Sequence, residues 1–236
     1  MQQFFVNELI ENNELVSLDA DVLYQLKKVL RVNNGYTFRL VDNDSNVYLC
    51  HFENNHARII NKIIENNELD TNITVILSLI KNDKMDFAIQ KLCELGVKRI
   101  VPYKAYRSVV KEGKATNKID RFKKIAKEAC EQSHRNIIPE ITDFINIKEI
   151  KNYMNDINVI AYENEDNIVN NFKCNSITIL IGPEGGFDEK ELEIIKNLGF
   201  NSISLGKRIL RAETAAIYLT SLIVGDNQWR LLRWWF

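Results

Sequence analysis

The spacing of apolar and polar positions changes partway along the chain. Over residues 1–70 the apolar runs are short, "FFVN", "YTFRLVD", "NVYLCHFE" and "ARIINKII", and turn signals such as "NNG" and "DNDSN" separate them. This pattern predicts a small β-rich barrel. The stretch "DADVLYQLKKVLRV" predicts one helix within it, with Val22, Leu26 and Val29 on the core face and Lys27, Lys28 and Arg31 outside. From Ile73 onward apolar strands alternate with amphipathic helices: "ITVILSLI", "KMDFAIQKLCELG", "VKRIVPY", "KIDRFKKIAKEACEQ", "INVIAYE", "ITILIGPE", "EKELEIIKNLG", "SISLG" and "LRAETAAIYLTSLIVG". That alternation predicts an α/β domain with a parallel sheet covered on both faces. The expected division is therefore a β-barrel domain over 1–70 and an α/β domain over 71–236, with no internal repeat and no long linker.

Two of the strand-to-helix junctions carry glycine loops. In "ILIGPEGGFDEKELEIIKNLGF" a buried run ends in Gly182-Pro183-Glu184-Gly185-Gly186 before a helix begins. Neither the G-x-G-x-x-G dinucleotide spacing nor a phosphate loop with its lysine is present, and Glu184 suits an uncharged or cationic ligand better than a triphosphate. The loop reads either as a ligand loop or as an ordinary strand-to-helix turn. In "SISLGKRILRAETAAIYL" a short strand again ends in glycine, Gly206, and the chain runs through Arg211, Glu213 and Thr214 into the last helix. A guanidinium beside an apolar helix demands an anionic partner. Arg211 reads either as a substrate or catalytic contact or as half of a salt bridge to Glu184 or Glu213.

Composition narrows the class. With 236 residues, 45% hydrophobic and 27% charged, the chain has enough apolar material for a sizeable core. No apolar run approaches the roughly 20 residues of a membrane span, and the first residues lack a signal-peptide pattern, so a cytoplasmic protein is expected. Cys50, Cys93, Cys130 and Cys174 with His51, His56 and His134 show no metal-ligand spacing, and the cysteines are expected reduced and packed.

Charge adds a substrate class. The formal net charge of −1 hides 6 basic and 11 acidic residues over 1–70, 15 and 8 over 71–140, and 10 and 13 over 141–236. Lys81, Lys84, Arg107, Lys111, Arg121, Lys124 and Arg135 in the positive middle segment could track phosphates. The competing reading is a solvated helix face, as Lys123, Lys127, Glu128 and Glu131 suggest for 118–132.

The strings "KMDFAIQKLCELGV", "RSVVK", "KIAKEACEQSHRNIIPEI", "LIGPEGGF" and "LGKRILRAETA", in this order and spacing, resemble the RsmE family of bacterial 16S ribosomal RNA uridine-N3 methyltransferases. The resemblance covers about residues 73–225 closely and the N-terminal part more loosely. It implies a SPOUT-class parallel-sheet domain with a trefoil knot, preceded by a PUA-like RNA-binding barrel. Its implied methyl donor is S-adenosylmethionine, with Tyr162, Glu163, Ile181, Gly182, Pro183, Glu184, Gly185, Leu205, Gly206, Ile209 and Leu210 around it. Arg211 is then the catalytic candidate, stabilising the uridine anion or orienting the base, and Glu184 a second candidate for contact with base or donor. Arg31, Lys84, Arg107, Lys111 and Arg135 are the implied RNA contacts. The implied partners are 16S rRNA or the assembled small subunit, and a second copy of the chain through the last helix at Ala216, Leu219, Leu222 and Ile223; no metal is implied.

Two positions depart from the family pattern, since Gln3 and Gln25 stand where many members carry arginine and histidine. The tail "NQWRLLRWWF" also runs past the usual end. Two rival readings stay open: another SPOUT methyltransferase acting on tRNA or ribose, and an RNA-binding protein without catalysis.

Overall fold

The computed structural model describes residues 1–10, 15–108, 115–163, 165 and 172–228, with side chains left aside at 115–117 and 228. The chain divides into two compact units, Met1–Glu68 with Cys130–Ile137, and Leu69–Ala129 with Ile138–Phe236.

The first unit is built on a five-stranded curled sheet. Its elements are β1 (Gln3–Phe5), β2 (Leu15–Ser17), α1 (Ala20–Tyr24), β3 (Thr37–Val41), β4 (Val47–Glu53) and β5 (His56–Ile63), and the strands lie in the order β1-β3-β4-β5-β2. Alternation along β4 and β5 sends Tyr48, Cys50, Phe52 and Ala57 inward to meet Phe4, Phe38 and Leu40, with the Phe4 and Phe38 rings edge to face at 5.9 Å. Asp19 caps α1 by accepting the Val22 N–H at 2.8 Å. The helix then widens into a π-turn over Gln25–Val29. The wider turn changes the helical phase: Val22 and Leu26 are buried as expected, but Val29 is 58% exposed and Leu30 packs in its stead. The expectation that Val29 is core is thereby corrected.

The segment Cys130–Ile137 returns to this unit through specific bonds. Gln3 Nε2 donates to the Arg135 carbonyl at 2.7 Å, and Arg135 Nη2 donates to Glu68 at 2.5 Å.

The second unit holds a six-stranded sheet whose pairings are all parallel, as the strand-helix alternation predicts. It comprises β6 (Asn72–Ser78), α2 (Asn82–Glu94), β7 (Arg99–Tyr103), α3 (Ala115–Gln132, whose residues from Cys130 on belong to the first unit), β8 (Glu140–Ile141), β9 (Ile157–Ala161), β10 (Ser176–Ile181), α4 (Glu189–Asn197), β11 (Asn201–Ile203) and α5 (Ala212–Gln228). The strand order is β11-β9-β10-β6-β7-β8. The two central strands, β6 and β10, are buried almost throughout, which is why "ITVILS" and "ITILI" read as unbroken apolar runs. Helix α5 packs on α2 and reaches β6 and β10. Register is what positions the site: Ile181 at the end of β10 pairs with Ala161 at the end of β9, which pairs with Ile203 at the end of β11. Three loops therefore leave neighbouring strands at the same level, on the carboxyl edge where open α/β sheets bind ligands. Among the described residues no helix is long and apolar enough to cross a membrane.

Candidate functional site

A cleft of about 210 Å³ opens at that edge. One wall is the glycine loop, from Ile181 through Glu184 to Gly186 and Phe187. The other is Ile209 to Ala212 with Ala215, and Ala161 and Glu163 close the strand end.

Backbone demands explain the glycines. A Cβ on Gly182 would lie 2.7 Å from the Phe187 ring, so the ring folds against bare backbone. Gly186 has φ +70, donates its N–H to the Pro183 carbonyl at 2.9 Å, and would bring a Cβ within 3.0 Å of Glu163 Oε1. Gly206 has φ +104 with open space where a Cβ would be, so conformation and not crowding selects glycine there.

The loop runs into α4 through a capping box. Asp188 accepts the Lys190 N–H at 3.1 Å, and Glu191 Oε2 accepts the Asp188 N–H at 3.4 Å. The spacing D-x-x-E shows this cap in the sequence. Its second use does not show there: the fully buried Glu191 also accepts the Tyr103 hydroxyl and the Tyr106 N–H, the latter at 3.0 Å. The end of β7 is thus fixed to the start of α4. Burial first, and then the hydrogen bond to Glu191, pushes the Tyr103 hydroxyl well above its usual pKa.

Charge is arranged around both walls. Lys84, at the start of α2, lies 3.0 Å from Glu184 and 3.8 Å from Glu213. Arg211 is exposed, and its carbonyl accepts the Ala215 N–H at 2.8 Å as α5 begins. Among the described residues Arg211 has no ion-pair partner, and Glu184 and Glu213, the two carboxylates weighed for it from the sequence, face Lys84.

The cleft brings together eight of the expected residues: Glu163, Ile181, Gly182, Pro183, Glu184, Ile209, Leu210 and Arg211. Four others fall beside it. The Tyr162 N–H extends the β9–β11 ladder to the Ile203 carbonyl at 3.0 Å, Gly185 faces Arg107, and Leu205 and Gly206 precede the second wall in the chain without lining the cleft. Phe187, Ala212 and Ala215 line the cleft without having been singled out from the sequence.

The expected RNA contacts separate. Arg31 is exposed at the end of the π-turn with φ 52. Arg107 is half-exposed in the loop after β7, 3.4 Å from Asp188. Lys111 lies outside the described residues, as do all the tryptophans of the tail. Lys84 is committed to the cleft carboxylates. Arg135 does not fit its expected role: it is 3% exposed, and its guanidinium is held by Glu68, a partner needed to compensate a buried charge. Among the described residues no cluster of histidine, cysteine or carboxylate side chains is placed to hold a metal ion.

With this geometry in view, the likenesses to known proteins are consistent. The family model described as "RNA methyltransferase domain" matches residues 67–224. The "Ribosomal RNA small subunit methyltransferase E" of Mesomycoplasma hyopneumoniae is 36% identical over 233 residues, covering 96% of this chain and 100% of that protein. Its namesake in Bacillus subtilis is 33% identical, covering 99% of each chain. The crystal structure of the Neisseria gonorrhoeae protein of that name, bound to S-adenosyl methionine, superposes with a TM-score of 0.86 at 31% identity, covering 94% of this chain and 95% of that one. The fold, a curled half-barrel sheet with a parallel α/β sheet, is the one expected of a PUA-like unit joined to a SPOUT-class unit. A family match across the α/β unit and relatives above 30% identity along their full length establish that the chain belongs to the RNA methyltransferase domain family, among the ribosomal RNA small subunit methyltransferase E proteins.

Proposed function

We propose that the protein transfers a methyl group from S-adenosylmethionine to N3 of a uridine in 16S ribosomal RNA. The observation that carries this reading is the cleft itself, where two glycine-bearing loops meet at register-matched strand ends with Arg211 at its rim.

The residues fit the donor. Ile209, Leu210, Phe187 and Ala161 offer apolar surface for a flat base, with the Phe187 ring seated against the bare backbone of Gly182. The carboxylates of Glu163 and Glu184 suit a cationic ligand. Bound there, the donor would supply an electrophilic methyl carbon on its sulfonium. The chain's own work concerns the uridine: the N3 proton passes to solvent water, the N–C bond forms as the sulfonium C–S bond breaks to leave a neutral thioether, and the guanidinium of Arg211 lowers the cost of the negative charge on the base. Arg107 and Arg31 are exposed cations suited to phosphates, which position RNA, while the cleft selects the base.

The same reading makes the protein a twofold dimer. Ala216, Leu219 and Ile223 are buried within the protomer, but Tyr218 and Leu222 on the same helix, and Phe87 on the neighbouring α2, are left exposed. It also brings the trefoil knot of the class, no metal requirement, and a cytoplasmic site of action where small subunits are made.

The test is mass-spectrometric mapping of nucleosides after incubation with small ribosomal subunits and labelled donor. The expected product is 3-methyluridine at one position. A ribose-methylated product or methylated tRNA would indicate a different target, and donor-independent RNA binding alone would remove the enzyme reading.

A further inference from the structure

Lys84 is the residue whose observed role departs furthest from its sequence context. It sits in a basic segment, yet it faces two carboxylates, one on the glycine-loop wall of the cleft and one in the first turn of α5, between the wall residues Ala212 and Ala215 in the chain. Glu184 belongs to the glycine loop and Glu213 to the first turn of α5. Lys84 is only about a quarter exposed, and Glu213 is more deeply buried at 12% side-chain exposure. One oxygen of Glu213, Oε2, is buried with no hydrogen-bond partner among the described residues. A buried carboxylate left without a cation is unfavourable, and two carboxylates approaching one space repel each other. The lysine places one cation between the two carboxylates, and it ties the glycine loop and the start of α5 to a third element, α2.

We propose that Lys84 is a positioning residue that sets the separation of the cleft walls, holding Glu184 and the start of α5 in register for the methyl donor. The proposal deepens the methyltransferase reading and rests on it. Lys84 acts through the carboxylates, not on the substrate. Removing its charge lets the walls part, which weakens donor binding while leaving Arg211 competent once the donor is bound.

The experiment measures S-adenosylmethionine affinity by calorimetry on the full chain, together with KM and kcat for the donor and the salt dependence of rRNA binding. Lys84→Met is expected to raise the donor Kd and KM about tenfold, the loss of roughly one partly shielded ionic anchor, with kcat at saturating donor within about twofold of wild type. Lys84→Arg should recover most of the affinity. In a Glu184→Gln/Glu213→Gln background, Lys84→Met should add less than about twofold, because the groups it acts through are gone. Unchanged donor affinity with a flattened RNA salt slope would make Lys84 a phosphate contact and overturn the proposal. Additive losses in the cycle, or a fall in kcat with KM unchanged, would overturn it as well. Should Lys84→Met fail to fold, Glu213→Gln decides: donor affinity like wild type overturns the proposal, and at least fivefold weakening supports it. A wild-type protein that binds no S-adenosylmethionine would instead overturn the proposed function, and this inference with it.

Discussion

Arg135 and Glu68, 67 positions apart in the chain, form a buried ion pair in which Nη2 donates at 2.5 Å and Nε at 3.3 Å. The same carboxylate accepts the backbone N–H groups of Asn136 and Ile137, at 2.9 and 3.1 Å. Glu68 thus caps the turn that follows α3. Breaking a buried pair leaves an uncompensated charge, which costs about 3–5 kcal/mol. Arg135→Ala and Glu68→Ala are both expected to lower the urea midpoint of the first unit by comparable amounts. At conditions where Arg135→Ala remains folded, its rRNA salt slope should match wild type.

Tyr103 and Glu191 predict an alkaline limit to stability. The buried hydroxyl titrates above its ordinary value of 10.0 in the folded protein. The unfolded chain therefore releases this proton first. The stabilisation is complete below about pH 10 and is lost as pH climbs from there toward the raised folded value, by up to roughly 1.4 kcal/mol per pH unit. Tyr103→Phe should be less stable at pH 8, by about 1–3 kcal/mol, since Glu191 loses a donor. Its stability should also fall less steeply above pH 10. Denaturation curves collected from pH 8 to 11 would check both, and parallel slopes would dismiss the linkage.

Arg211 is expected to matter for turnover more than for grip. Its guanidinium stands at the rim of the cleft with no carboxylate partner among the described residues. Arg211→Ala should reduce single-turnover methylation about 100-fold, as the loss of one charge-stabilising donor does elsewhere. Filter binding should show rRNA affinity largely retained. A variant that methylates at the wild-type rate with saturating RNA would leave the arginine a structural role only.

Arg107 should show the opposite behaviour. The guanidinium is half-exposed and only loosely held by Asp188 at 3.4 Å, so it can turn to a phosphate. Arg107→Ala is expected to weaken rRNA binding and to reduce the log–log salt slope by about 0.7 to 0.9, because a single phosphate is no longer neutralised. Donor affinity, read in parallel, should stay within about twofold.

Much of the architecture is visible in the chain because local pattern and global fold agree. Continuous apolar runs mark β6 and β10 as strands buried on both faces, and glycine with proline after β10 marks the loop that forms one wall of the cleft. Arg211 stands out because a cation beside an apolar helix needs a reason. What escapes is whatever depends on partners distant in sequence. Arg135 reads as a surface cation until Glu68 is placed against it, and Lys84 reads as a phosphate ligand until Glu184 and Glu213 converge on it. Val29 escapes for a local reason: a π-turn changes the residues per turn, so a 3.6-residue template puts the wrong side chain in the core. Phe187 is legible only in retrospect, through the bare backbone at Gly182 that receives its ring.

Ile209 has one further consequence for the cleft it lines. This isoleucine is 87% exposed, an unusual state for a large branched apolar side chain. A small molecule that covers it takes apolar surface out of water, which lowers the heat capacity of the system. The enthalpy of ligand capture should therefore become steadily more favourable on warming. Calorimetric titrations at several temperatures should give a negative heat-capacity change, smaller in magnitude for Ile209→Ala. Heat would then drive association on the warm side of the range and entropy on the cool side, with the affinity itself changing little between them.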